Sequence, residues 1–242
     1  MCGRYVRKST RREIAAWFGA EDGDVVAWGE SYNVAPQTFQ PVVRLNRDSG
    51  QREIVLMRWG LIPFWASDAK IAYSTINARA ETVATAPAFR EALRHRRCLV
   101  PADAFYEWQT LDRKNKQPFA IALSNHEPYG FAGLWERWKH EGEWLETFTI
   151  ITTEPNEVVA PLHNRMPVIV ARQDYERWLG KGNPEQPPVD LLRPYPAEEM
   201  TAWKVAKAVG NARNDTAELL EPDAVADAQQ GLFGAGGAAE IK

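Results

Sequence analysis

The sequence predicts an α+β fold: a single domain whose curved, mainly antiparallel, barrel-like β-sheet core is flanked by short helices. Three observations carry this. Apolar, β-branched and aromatic runs of strand length recur along the chain, many are joined by polar loops of hairpin length, and helical patterns are few and brief. Hairpin connections favour antiparallel pairing, whereas a doubly wound parallel sheet needs long crossovers.

In chain order, the first helix is "TRREIAAWFG", with a Thr10–Glu13 capping box and a stop at Gly19. "VVRLN" and "IVLMRWG" follow as strands around a "RDSGQ" turn. "PAFREALRHR" reads as a helix that begins at Pro87, with Phe89 and Leu93 on one face. Then come the strands "RCLVPA", "FYEWQ", "PFAIAL", "GFAGLWERW", "WLETFTIITT" and "MPVIVA", with "TLDRKNKQ" and "KHEG" as hairpin loops. "QDYERWLG" is a last helix, stopped by Gly180. No linker or repeat divides residues 1–221, read as one domain, while the Ala/Gly/Asp-rich residues 222–242 read as a disordered tail.

The composition, 45% hydrophobic and 25% charged, is ordinary for a globular protein, although ten Trp is high. No signal peptide and no apolar run near 18 residues is present, so a cytoplasmic location is the default and no membrane partner is expected. Two cysteines, Cys2 and Cys98, and four scattered histidines make neither a disulfide framework nor a metal-ligand spacing, so no metal or other cofactor is expected. Cys98 reads as a small buried apolar residue. The net charge of −3 conceals an asymmetry: residues 218–242 hold five acids and one base, leaving 28 bases against 27 acids elsewhere. A broadly basic surface is thereby excluded, and any nucleic-acid site must be a local arginine-lined cleft.

The residue with the most pointed chemistry is Cys2. Removal of Met1 would give it a free α-amine beside its thiol. An α-amine has a reference pKa of about 7.7–8.0 against about 10.4 for lysine, so its nucleophilic fraction at neutral pH is roughly a few hundredfold larger. An aldehyde captured by that amine as an imine can be attacked at the same carbon by the thiol, closing a thiazolidine ring.

Five ordered motifs join Cys2: "YNVAP" (32–36), "MRWGLIPFW" (57–65), "INARAET" (76–82), "CLVPADAFYEW" (98–108) and "LHNRMPVI" (162–169). Together they closely resemble the SOS-response-associated peptidase family of abasic-site processing proteins, with similarity running from Cys2 to about residue 215. The resemblance implies a protein that binds single-stranded DNA and forms a thiazolidine cross-link with the ring-opened aldehyde of an abasic site. It implies catalytic roles for Cys2 as nucleophile, Asn77 as a hydrogen-bonding amide, Glu107 as a proton donor and His163 as a proton shuttle. The residue types suit those roles: a carboxyl among aromatics has a raised pKa, and imidazole titrates near neutrality. Taken alone, Asn77 reads equally as a turn cap, Glu107 as an outward strand residue, and His163 as structural.

Arg4 and Arg79 match phosphate-contacting positions, each two residues beyond a catalytic one and so on its face if the backbone is extended. Trp65, with Pro63 and Phe64, resembles a tip on which a base stacks, with Pro36 beside it. Arg58 and Arg165 are candidate DNA contacts that read more readily as internal partners of acids such as Glu81 or Asp103. Most other tryptophans, including Trp17, Trp135 and Trp178, are expected in the core. Ala104 stands where the family commonly has Gly, and Pro87 where some relatives carry a base. The peptidase activity implied is removal of the protein's own Met1, and the same acid and base would serve slow reversal of the cross-link.

Two other readings stay open on the residues alone. "MCG" also begins amidotransferases with an N-terminal cysteine nucleophile, although these continue with an apolar strand where this chain has Arg4. A non-covalent single-strand binder is the other. The tail's "QQGLF" resembles peptides that dock on the replication sliding clamp, through Gln229, Leu232 and Phe233. The protein is expected to be a monomer, associated with the nucleoid when on DNA.

Overall fold

The computed structural model describes residues 2–21 and 28–223. The tail peptide Gln229–Phe233 and Met1 lie outside the described residues. The elements are β1 (Tyr5–Arg7), α1 (Arg11–Phe18), β2 (Ser31–Val34), β3 (Phe39–Leu45), β4 (Arg52–Trp59), β5 (Asn77–Arg79), α2 (Arg90–His95) and β6 (Arg97–Ala102). They continue with β7 (Ala104–Thr110), β8 (Lys116–Leu123), β9 (Tyr129–His140), β10 (Glu143–Thr153), β11 (Met166–Pro167), β12 (Ile169–Val170), α3 (Tyr175–Leu179) and β13 (Met200–Lys204). Several 3-10 turns fill the connections. The α+β, barrel-like architecture is the one expected from sequence.

One sheet runs β13-β8-β7-β1-β2, and the other runs β11-β10-β4-β3-β6-β9-β12, with β5 paired to β10. The three hairpins read from the sequence are present: β3–β4 pairs Phe39 with Arg58 through Leu45 with Arg52, and β7–β8 and β9–β10 close over the other two loops. Pairing is antiparallel except where β10 meets β4 and β5 in parallel. Those two contacts matter for the site, because β10 thereby carries Asn77 on one edge and the Arg58–Trp59 end of β4 on the same edge of the sheet.

α1 is set by Thr10, whose side chain accepts from the Glu13 N–H while the Glu13 carboxylate accepts from the Thr10 N–H, and it ends at Gly19 in the left-handed region (φ 58°). α2 begins at Arg90, three residues later than Pro87 predicts. The chain first makes turns in which the Ala86 carbonyl accepts from both Phe89 and Arg90, and these occupy the groups a longer helix would need. "MPVIVA" is divided into two short strands at Val168, whose N–H donates to Ile151 while its carbonyl accepts from Ala132.

The apolar strand faces fill the interior. Cys98 and Trp178 are fully buried and joined, the Trp178 Nε1 donating to the Cys98 carbonyl at 2.8 Å. Trp135 is also buried, whereas Trp17 packs half-buried at the edge of its cluster. Buried Arg97 donates to the carbonyls of Leu93, Arg94, Trp178 and Gly180, satisfying chain ends of α2 and α3 together. Among the described residues, no helix is long and apolar enough to cross a membrane.

Packing is tight where β9 crosses β6. A Cβ on Gly133 would lie 2.8 Å from Cys98 Sγ, 3.0 Å from Val100 Cγ2 and 3.2 Å from the Thr149 carbonyl. Gly133→Ala is therefore expected to destabilise the fold by about 1–3 kcal/mol. Urea unfolding should show a lower midpoint at unchanged slope.

Candidate active site

Cys2 lies just before β1, which is held between β2 and β7. The Tyr106 N–H donates to the Arg4 carbonyl at 3.1 Å, extending that pairing toward the chain start. Cys2 is fully buried, in the same core cluster as Phe105 and Ile150. Ile76 and Leu162 pack against this cluster, and these are the residues that immediately precede Asn77 and His163. Glu107, two residues beyond Phe105 on β7, is 2% exposed and electrostatically coupled to Cys2. The structure thus gathers Cys2, Asn77, Glu107 and His163 from four separate segments.

Burial sets the electrostatics. Desolvation pushes the Cys2 thiol pKa well above its ordinary value, reinforced by the negative field of Glu107 and opposed by the Arg4 backbone N–H that points at the sulfur. Desolvation likewise raises Glu107 to about 7, and it lowers His163. Lys116 on β8 bears on both of these groups, lowering each. Each of the three is displaced toward its neutral form. His163 Nδ1 faces the Arg165 backbone, 3.0 Å from its N–H and 3.3 Å from its carbonyl oxygen.

Asn77 opens β5, and its Nδ2 donates weakly to the Ile150 carbonyl at 3.4 Å. Its Oδ1 is buried with no hydrogen-bond partner among the described residues. A desolvated acceptor of this kind is costly unless a ligand donor meets it. Among the described residues, no group of three His, Cys, Asp or Glu side chains gathers in metal-ligating geometry.

The arginines divide into two kinds. Arg79 ends β5, exposed, two residues beyond Asn77. Arg4 is half-buried and donates to Asn33 Oδ1 at 3.0 Å and to the Val209 carbonyl at 3.2 Å. Arg165 grips Glu81 through both terminal nitrogens, at 2.6 and 3.0 Å, and this pairing holds the Glu81 carboxyl below its ordinary range. The partner of Arg58 is an amide rather than an acid: it donates to Gln37 Oε1 at 2.6 Å. Asp103 instead accepts from the Lys8 and Ser9 backbone N–H groups and the Ser9 hydroxyl, fixing the turn after β1.

Pro36 and Gln37 lie beside this edge, Gln37 in the left-handed region (φ 72°) with its Nε2 donating to the Ala72 carbonyl. Gly60 is obligatory beneath them, because a Cβ there would lie 2.6 Å from that carbonyl and 2.7 Å from Gln37 Nε2, at φ 125°. Trp65 is 51% exposed and Phe64 is 58% exposed on the following loop. Three further exposed aromatics escape sequence reasoning, Phe39 at 55%, Tyr73 at 68% and Trp144 at 52%. For Phe39 the signal was its pairing with Arg58 at the end of the hairpin. Tyr73, in a short 3-10 turn, carried none.

Fold and site define a single-domain α+β protein that brings a cysteine, an acid, an amide and an imidazole to one partly buried wall. The chain belongs to the SOS response associated peptidase (SRAP) family, whose profile matches residues 1–212. It is 44% identical to the abasic site processing protein YoaM of Bacillus subtilis, over 92% of this chain and 99% of that one. It is 32% identical to the abasic site processing protein HMCES of Xenopus tropicalis, over 84% of this chain and 69% of that one. A crystal structure of a Bacteroides thetaiotaomicron protein superposes with a TM-score of 0.82 at 28% identity, covering 92% of this chain and all of the other.

Burial of Glu107 carries a stability cost that appears only when the group ionises. Its folded-state pKa of about 7 lies above the ordinary value of 4.5, so the folded state holds the proton more tightly and stability falls as pH rises between these values. Glu107→Gln is expected to raise the melting temperature at pH 8, with about 3 kcal/mol as an upper bound on the gain. The gain should vanish at pH 4, where both states are protonated. A gain equal at both pH values would contradict this.

Proposed function

We propose that the protein processes abasic sites in single-stranded DNA by forming a covalent thiazolidine between Cys2 and the lesion's aldehyde. The observation that carries this is the burial of Cys2 beside Glu107, an acid held at about 7. The names of the relatives and the unpartnered Asn77 Oδ1 support it.

The first step is hydrolysis of the Met1–Cys2 bond: water adds to the Met1 carbonyl, methionine leaves, and Cys2 gains a free α-amine. Glu107 and His163 are the groups of this wall able to transfer the protons. The Cys2 amine then attacks C1′ of the ring-opened sugar. Glu107 protonates the departing hydroxyl, and one water is lost as the imine forms. The thiol adds to the imine carbon, its proton passes to nitrogen, and the five-membered ring closes. Asn77 orients the carbinol through its amide, while His163 holds a proton for the sugar hydroxyl. The neutral thiol favoured by burial suits this order, because the amine reacts first and a thiolate is not required until ring closure.

Arg79 and Arg4 meet phosphates, and Trp65 with Pro36 stacks against a base next to the lesion. The product seals the aldehyde against strand cleavage, and reversal runs through the same acid and base.

Incubation of the processed protein with an oligonucleotide bearing one abasic site should give a denaturation-resistant adduct whose mass is the sum of the two less one water. Cys2→Ala should remove the adduct, and protein retaining Met1 should not form it. An adduct equally abundant with Cys2→Ala would overturn the mechanism. Glu107→Gln should slow formation by about 10²–10⁴-fold at neutral pH and remove the fall in rate as pH rises through about 7.

A further inference from the structure

We propose that an arginine-lined cleft at the far end of the β3–β4 hairpin is a second DNA site, which takes the phosphodiester backbone of the strand flanking the lesion. This rests on the single-strand reading above.

The cleft, of about 500 Å³, is lined by Arg47, Arg94, Arg96, Arg97, Lys181 and Trp135, among others. Among the described residues, no Asp or Glu lines it. The five cations are differently committed. Arg97 is pinned in the floor by four backbone carbonyls, so its charge is oriented without a carboxylate. Arg96 pairs with Glu136 at 2.8 Å, and Arg94 meets Glu91 and Glu185 at 3.5 and 3.4 Å. Arg47 and Lys181 are exposed and have no carboxylate within ion-pair distance among the described residues. The two are adjacent, Lys181 Nζ donating to the Arg47 carbonyl at 3.2 Å. Arg47 and Lys181, with Arg97 in the floor, gather like charge that no carboxylate lining the cleft offsets, and an anion there relieves the repulsion.

What favours a nucleic-acid strand over a small anion is the continuation of the surface. A second cleft of about 420 Å³ shares Arg47, Arg96 and Trp135 and extends to Arg137 and Trp144; it also holds Asp48, Glu53, Glu136 and Glu146, of which Glu53 and Glu146 are paired with Arg44 and Glu136 with Arg96. Trp144 is 52% exposed, with the Arg137 guanidinium 4.4 Å and Lys139 Nζ 5.4 Å from its ring centre. Alternating cations and an exposed aromatic suit phosphates and a stacked base. These residues lie on the β9–β10 hairpin, whose other face carries Trp138. Trp138 packs on Ile62 and Ala72 and donates to the Ala66 carbonyl at 2.7 Å, one residue from Trp65. Seven-residue β3, from exposed Phe39 to Leu45 at the cleft, spans about 20 Å, or roughly six nucleotides of helical strand.

The test uses full-length protein with Arg47→Glu, Lys181→Glu and the pair together, each checked for an unchanged melting temperature. Binding and cross-linking are measured with single strands of about 7 and about 30 nucleotides carrying one abasic site. The double variant should bind the long strand about tenfold more weakly near 100 mM salt, with its salt slope reduced by about 1.4, while the short strand is unaffected. Equal effects on both lengths, or none on the long strand, would overturn the proposal, as would a site that takes inorganic pyrophosphate without any dependence on strand length. If the unaltered protein forms no Cys2 adduct with either strand, the cross-linking mechanism fails, while the difference between lengths still decides the cleft.

Discussion

Everything in the site depends on keeping the second residue of the chain out of water. Chain starts ordinarily fray, yet Cys2 is fully buried. The three residues of β1 supply little adhesion by themselves, and the rest comes from their surroundings. Buried Asn33, on the neighbouring β2, accepts from Arg4 and donates to the carbonyls of Val209, Asn211 and Asn214. Asp215 accepts from the backbone N–H groups of Tyr32 and Asn33. Residues 209–215 therefore fasten β2 and, through Asn33, Arg4, across more than 170 positions of sequence.

The same burial arranges the chemistry. A dry wall moves each titratable group toward its neutral state, whichever sign of charge it would carry. For most nucleophilic cysteines this would be a defect, since a thiolate is the reactive form. The proposed carbonyl condensation would make other demands: an unprotonated amine, an acid that still holds its proton near neutrality, and a base that does not keep it. Glu107 at about 7 and a His163 shifted downward fit those demands, and desolvation is the first cause of both shifts, with Lys116 bearing on each. Arg165 illustrates the contrast, since its bidentate pairing with Glu81 leaves that nearby carboxylate firmly ionised and outside the proton chemistry.

The hairpins were legible because strand alternation and polar loops are local signals, and α1 was legible because its cap is written in Thr10, Glu13 and Gly19. β1, β2, β5 and β13 were not read as strands from sequence, since runs of three to five residues have too little period to be told from loop. β5 is the instructive failure: Asn77 is placed by parallel pairing with β10, 73 residues later, and nothing local announces it. The catalytic candidates themselves came from motif resemblance, and their mutual placement is a property of topology alone. Arg58 shows the limit of charge reasoning, as its partner is the amide of Gln37, which a search for acids overlooks. The charge sum also concealed the arginine cleft, because a body of nearly zero net charge can separate its signs locally without changing the total.

The β9–β10 hairpin couples the Trp65 loop to the basic surface. Its register sets Trp138 opposite Leu145, Arg137 opposite Glu146, and Lys139 opposite Trp144. With a period of two, Trp138 and Leu145 face the loop that carries Trp65, while Arg137, Lys139 and Trp144 face away. A slip of one residue would exchange the two faces, placing cations against Ile62 and Ala72 and exposing Trp138. Burial on one face therefore fixes the charge pattern on the other. Because Trp138 also holds the Ala66 carbonyl, the position of the Trp65 loop and the position of the basic surface are two consequences of a single register.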